Sequence, residues 1–176
     1  MSRTLFGLLL VSVLTNVSVA SAADVTWGQV LENIAKKFPD ARQLSTVELQ
    51  KWLDDPDRKN PVLLDTRSEK EYEVSRLKNA RLFVPGFSWG KQVKDISKDT
   101  AIVIYCSMGY RSSKMVQKMQ DIGYTNVYNL RGSIFMWANE GRTVVRNGKV
   151  VKVIHPYKKK WGVLLNKQYH STSSED

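Results

Sequence analysis

Apolar residues recur every three or four positions from Trp27 to Phe38 (Trp27, Val30, Leu31, Ile34, Phe38), the period of an amphipathic helix, and Pro39 stops it. Thr26 and Gln29 open that stretch three positions apart, so that each side chain can satisfy the other's backbone N–H. The same signature recurs at Ser45/Glu48 and Ser68/Glu71, predicting a helix through Leu53 and a short one after Ser68. Pro61–Asp65 and Ala101–Tyr105 are short apolar runs of the kind found in strands buried on both faces, and Asn126–Leu130 reads as another short strand. Ser112 to Ile122 carries Met115, Met119 and Ile122 on one helical face, and Gly123 is placed to end it. Strands alternating with helices at these lengths predict an α/β domain with a mainly parallel sheet. Past Gly141 the pattern changes: Val144–Val153 alternates around Asn147-Gly148, a two-residue hairpin signal, and Ser171–Asp176 is expected to fray.

Residues 1–22 follow a different logic. Arg3 gives a positive start, Leu5–Val13 is nearly all apolar, and Ala20-Ser21-Ala22 offers a small-x-small cleavage site. This is the pattern of a cleaved signal peptide, and Thr15, Asn16 and Ser18 argue against a stable membrane span. Export to the periplasm or beyond is therefore expected. Export sharpens the meaning of the cysteine count, because the 176 residues contain one cysteine, Cys106, and no intramolecular disulfide can form. His155 and His170 lie too far apart for any usual zinc spacing. The formal charge of +10 favours small anions; without a recognisable nucleic-acid module it does not point to DNA or RNA, and Lys158–Lys160 reads as solvated.

Cys106 sits where the most β-prone run ends and a short loop leads into a helix: Tyr105-Cys106-Ser107-Met108-Gly109-Tyr110-Arg111-Ser112. Ligands bind at the carboxyl ends of strands in open parallel sheets, and a helix N-terminus aims backbone N–H groups at one spot. Gly109 permits the tight curl. A sulfur at that focus, with Arg111 nearby, is expected to be a thiolate with a pKa of roughly 3.5–7.5, against about 8.5 for a free thiol.

Three separated motifs resemble the rhodanese sulfurtransferase family in consistent order: Asp65-Thr66-Arg67 after a strand, the six-residue loop Cys106–Arg111, and Gly132-Ser133-Ile134-Phe135-Met136-Trp137. The resemblance implies a rhodanese-like open parallel sheet of about five strands with helices on both faces, over residues 41–142. Residues 23–40 would then be an N-terminal helix and 143–176 a C-terminal hairpin and tail. It further implies that Cys106 carries sulfur as a persulfide, taken from a small anionic donor such as thiosulfate and passed to a thiol or cyanide, with neither a metal nor an organic cofactor expected. The N–H groups of Ser107, Met108, Gly109, Tyr110 and Arg111 would stabilise the anionic sulfur, and Arg111 would either attract the donor or tie loop to helix. Asp65 and Arg67 lie behind the site, and an ion pair with Glu71 or the loop is expected of them. Where family members often show Gly-His-Ile-x-Gly-Ala, this chain has Ser75-Arg76-Leu77-Lys78-Asn79-Ala80.

Two other readings use the same loop. A cysteine phosphatase or arsenate reductase needs five residues between Cys and Arg, and Ser107–Tyr110 supply four. A non-catalytic binding module is the alternative, against which Cys106 at the focus of the loop argues, and a dedicated carrier of persulfide for one acceptor stays open. Gly86-Phe87-Ser88-Trp89-Gly90 matches a hydrolase nucleophile elbow in letters only, since Pro85 precedes it where a strand is needed. Trp137 is expected in the core.

Overall fold

The computed structural model describes residues 25–86 and 88–172. The expected signal peptide, 1–22, lies outside the described residues. Five parallel strands form the central sheet: β1 (Gln43–Leu44), β2 (Val62–Asp65), β3 (Arg81–Leu82), β4 (Ile102–Tyr105) and β5 (Val127–Leu130), in the order β1-β5-β4-β2-β3. Strand β4 is central, and all four of its residues are wholly buried. That burial explains its unbroken apolar sequence: helices cover the sheet, so neither face has solvent to meet.

Helices α1 (Trp27–Lys37), α2 (Thr46–Asp54) and α3 (Glu69–Val74) each begin with a reciprocal capping box, at Thr26/Gln29, Ser45/Glu48 and Ser68/Glu71. Helix α4 runs Tyr110–Asp121, starting two residues before the expected Ser112, so Tyr110 and Arg111 belong to its first turn rather than to the loop. Gly109 at φ +114 makes this possible, because it completes the curl in one residue. Helix α5 (Ser133–Asn139) has no counterpart in the periodicity: five of its seven residues are buried, which leaves no polar stripe to reveal it. Trp137 is in the core, as expected.

Strands β6 (Val144–Arg146) and β7 (Lys149–Val151) form the antiparallel hairpin, with Asn147 and Gly148 both at positive φ. Beyond it the chain returns to the domain through the short helix α6 (Lys159–Gly162) and a 3₁₀ turn, Lys167–Tyr169. Ile154, Leu164 and Leu165 are buried in the same core as the sheet. Asn139 fixes this return, its Nδ2 donating to Leu164 O (2.8 Å) and its Oδ1 accepting from Asn166 N–H (2.8 Å). Ser171, expected to fray, is held by its N–H donating to Ile154 O. No helix among the described residues is long and apolar enough to cross a membrane.

Candidate active site

The loop between β4 and α4 is gripped from behind by the start of α5. Ser133 Oγ accepts the Cys106 N–H at 3.1 Å and donates to Leu130 O at 3.1 Å. The N–H groups of Ile134 and Phe135 donate to the carbonyls of Cys106 and Ser107. Gly132, at φ +73, caps α5. A Cβ there would stand 2.6 Å from Met136 Cβ, so no other residue fits the turn that delivers Ser133. Ser133 itself is held at φ +51, an unusual conformation for a residue with a side chain. The motif singled out in the sequence thus acts on the backbone of the cysteine loop.

Cys106 is 1% exposed and lines a cavity of about 540 Å³. Its Sγ accepts the Gly109 N–H at 3.2 Å and the Ser112 hydroxyl at 3.4 Å. Burial alone pushes the thiol up; the Arg111 guanidinium and the hydrogen bonds from Ser112 and Gly109 outweigh it, and the net shift is downward. No side chain caps α4, so its first-turn N–H groups remain available to charge on the sulfur.

Arg111 is bound in a fork to Glu71, with Nη1 at 2.9 Å from Oε2 and Nη2 at 2.8 Å from Oε1. Its Nη2 also donates to Ser107 Oγ (2.9 Å), whose hydroxyl donates to Glu71 Oε1 (2.8 Å). Glu71 is buried, which by itself raises its pKa, yet Arg111, the Ser68 N–H and Arg67 bring it down to about 2. The guanidinium also lies over the Tyr157 ring, 4.6 Å from its centroid, and its side chain stays 28% exposed toward the cavity. Sequence reasoning missed Glu71 as the partner of Arg111. The sequence places Glu71 in a capping box and as an ion-pair partner for Asp65 and Arg67; one of its oxygens serves Ser68 while both serve Arg111.

The expected pairing of Asp65 and Arg67 with Glu71 or the loop is corrected. They pair with each other, Arg67 Nη2 to Asp65 Oδ2 at 2.7 Å, and both side chains are wholly buried. Two residues apart at the end of β2, they meet locally before either can reach the loop, and Arg67 spends another donor on Ser75 O. They buttress the strand end and do not line the cavity. Asn79 stands at φ +64 in the segment that departs from the family pattern, a left-handed turn that asparagine tolerates where the pattern has glycine. Ser88 of the elbow-like motif is exposed in a turn before a 3₁₀ segment, and the nearest preceding strand ends at Leu82. His155 Nδ1 accepts the Tyr157 N–H. Among the described residues no cluster of His, Cys, Asp and Glu could hold a metal.

The cavity has walls beyond the loop. Ser107, Met108, Tyr110 and Arg111 line it beside Cys106; Val30 and Ile34 of α1 face them, and Tyr157, Lys160 and Trp161 close the side. Phe38 packs edge-to-face on Tyr110, centroids 5.0 Å apart, fixing α1 to the start of α4.

Comparison with known proteins agrees with this architecture. The sequence profile of the rhodanese-like domain matches residues 45–140. A tRNA uridine(34) hydroxylase of Erwinia tasmaniensis is 35% identical over 105 residues, covering 56% of this chain but 29% of that protein. The hydroxylase of Wolbachia pipientis is 29% identical over 107 residues, 58% of this chain and 38% of its own length. The chain therefore spans well under half of these curated relatives. Among solved structures, thiosulfate sulfurtransferase of Pseudomonas aeruginosa superposes with a TM-score of 0.58 at 18% identity, over 77% of this chain and 26% of that one. A rhodanese-like domain protein of Staphylococcus aureus gives 0.52 at 24% identity, over 61% and 99%. At these identities the structures show the fold, and the profile match over more than half the sequence shows the family: the chain belongs to the rhodanese-like domain family.

Proposed function

We propose that this protein is an exported sulfurtransferase that moves sulfane sulfur through a persulfide on Cys106. One observation carries the reading: Cys106 Sγ stands at the wall of a cavity, accepts the Gly109 N–H and the Ser112 hydroxyl, and has its thiol lowered beside Arg111. The thiolate attacks the outer sulfur of a donor such as thiosulfate. A new S–S bond forms, the old one breaks, and sulfite leaves with the bonding pair. The persulfide anion inherits the same donors, and the open first turn of α4 faces its charge. A thiolate or cyanide then takes the outer sulfur and returns the electron pair to Sγ, a double displacement with ping-pong kinetics.

Hydroxylation of a tRNA base is not carried over from the relatives, because the match covers 29% of the Erwinia protein. Residues 1–22 support export to the periplasm, and residues 41–142 are taken as the sulfur-transfer domain. Intact-mass measurement after incubation with thiosulfate tests the proposal. We expect a gain of one sulfur, about 32 Da, that cyanide or a thiol removes and that Cys106→Ser abolishes. No gain on the wild-type chain, or the same gain on Cys106→Ser, overturns it.

A further inference from the structure

Two walls of the Cys106 cavity come from segments outside the family match at 45–140: α1, and the turn and helix that carry Tyr157, Lys160 and Trp161. At about 540 Å³ the cavity is in the range that holds drug-sized organic ligands, about 300–1,000 Å³, and a donor the size of thiosulfate fills little of it. Its lining is unevenly divided. Val30, Ile34, Met108 and Trp161 offer apolar surface, no carboxylate lines it among the described residues, and its two cations are Arg111 and Lys160. Glu71 occupies Arg111 in a fork. Lys160 makes no ion pair among the described residues, and its Nζ stands 5.2 Å from the Trp161 ring centroid. A cation and an apolar wall in one cavity with the reactive sulfur select a molecule with three parts: a thiol, an apolar body and an anionic group.

We propose that this cavity binds the organic partner of the transfer, a low-molecular-weight thiol with an apolar body and a carboxylate, and that Trp161 and Lys160 set its selectivity. The inference rests on Cys106 carrying the sulfur. The thiol loses its proton to water, and its sulfur attacks the outer sulfur of the Cys106 persulfide. The new S–S bond forms on the acceptor, the bond to Sγ breaks, and the thiolate of Cys106 is regenerated. The acceptor leaves as an organic persulfide whose carboxylate has met Lys160 while its body lay on Trp161 and Ile34.

The test compares acceptors at saturating thiosulfate: (4-mercaptophenyl)acetate, its neutral methyl ester, and cyanide. Trp161→Ala should lower kcat/KM for the aryl acid relative to cyanide by about three- to tenfold, the loss of one aromatic contact. Lys160→Ala should lower the acid-to-ester ratio about fivefold, and Lys160→Arg should restore it. Lys149→Ala, on the hairpin, should keep the wild-type ratios. Unchanged ratios in Trp161→Ala and Lys160→Ala overturn the inference. Calorimetry on Cys106→Ser with the S-methyl thioether of the same acid tests the cavity without turnover: binding that Trp161→Ala removes supports it, and no binding overturns it. A wild-type chain that gains no sulfur from thiosulfate would instead fail at the transfer reading, a result the mass measurement separates from loss of acceptor selectivity.

Discussion

Arg111 was expected either to attract a donor anion or to tie the loop to its helix, and its surroundings join the two. The fork to Glu71 fixes the guanidinium in place, and from there its charge holds the Cys106 thiol down. A thiol lowered in the folded protein is already thiolate at pH values where a free cysteine, with a pKa of about 8.5, is still protonated. The rate of persulfide formation should therefore rise with pH to a plateau, its midpoint displaced downward from that of an unperturbed thiol. In Arg111→Ala the midpoint should climb, with Arg111→Lys in between, as expected when the cation that favours the thiolate is removed. Stopped-flow measurement of sulfite release against pH reads it directly, and an unmoved midpoint would make Arg111 a strut only. Sequence alone reached Cys106, Gly109 and Arg111 because strand, loop and helix are consecutive. The pairing of Glu71 with Arg111 stayed hidden because the contact spans 40 residues, and only the nearby Asp65 and Arg67 were local enough to suggest a partner for it.

At the scale of elements, α5 and the cysteine loop form one unit. Three hydrogen bonds tie the loop to α5, one accepted by Ser133 Oγ and two donated by the Ile134 and Phe135 N–H groups. Gly132→Ala should break that unit, since a Cβ would collide with Met136 and alanine resists φ +73. We expect a loss of about 2–4 kcal/mol in urea unfolding and sulfur loading from thiosulfate at least tenfold slower. A variant that unfolds like the wild type would show that the turn is not needed. The capping boxes of α1, α2 and α3, and strands β2, β4 and β5, were legible because their signals are local and their runs four residues or longer. Strands β1 and β3 have two residues each, too few for any periodicity, and only the resemblance to the family supplied them. Helix α5 was invisible for the opposite reason, being apolar almost all round.

Over the whole molecule, the C-terminal segment was legible as a hairpin and then lost, because its anchors are distant: Asn139 to Leu164 and Asn166, Ile154 to Tyr169 and Ser171. Val144, Ile154, Leu164 and Leu165 are all buried by this return. Each such side chain contributes about 1.5–3 kcal/mol by burial, offset in part by the entropy of ordering the segment. A chain ending at Arg142 should lose about 5–10 °C in melting temperature by circular dichroism. An unchanged transition would mean that the return adds nothing to the core. Loss of the segment would also remove Tyr157 from beneath Arg111 and one side of the cavity, so stability and site are linked through the same residues.

The recessed position of Cys106 has a consequence for oxidation. A disulfide between two chains requires their cysteine Cα atoms to approach within about 7 Å. A sulfur behind α1 and Trp161, at the end of a wholly buried strand, keeps its backbone well inside the fold. Air or peroxide should therefore yield sulfenic acid or mixed disulfides with small thiols, while non-reducing electrophoresis of the folded protein shows a single band at the mass of one chain.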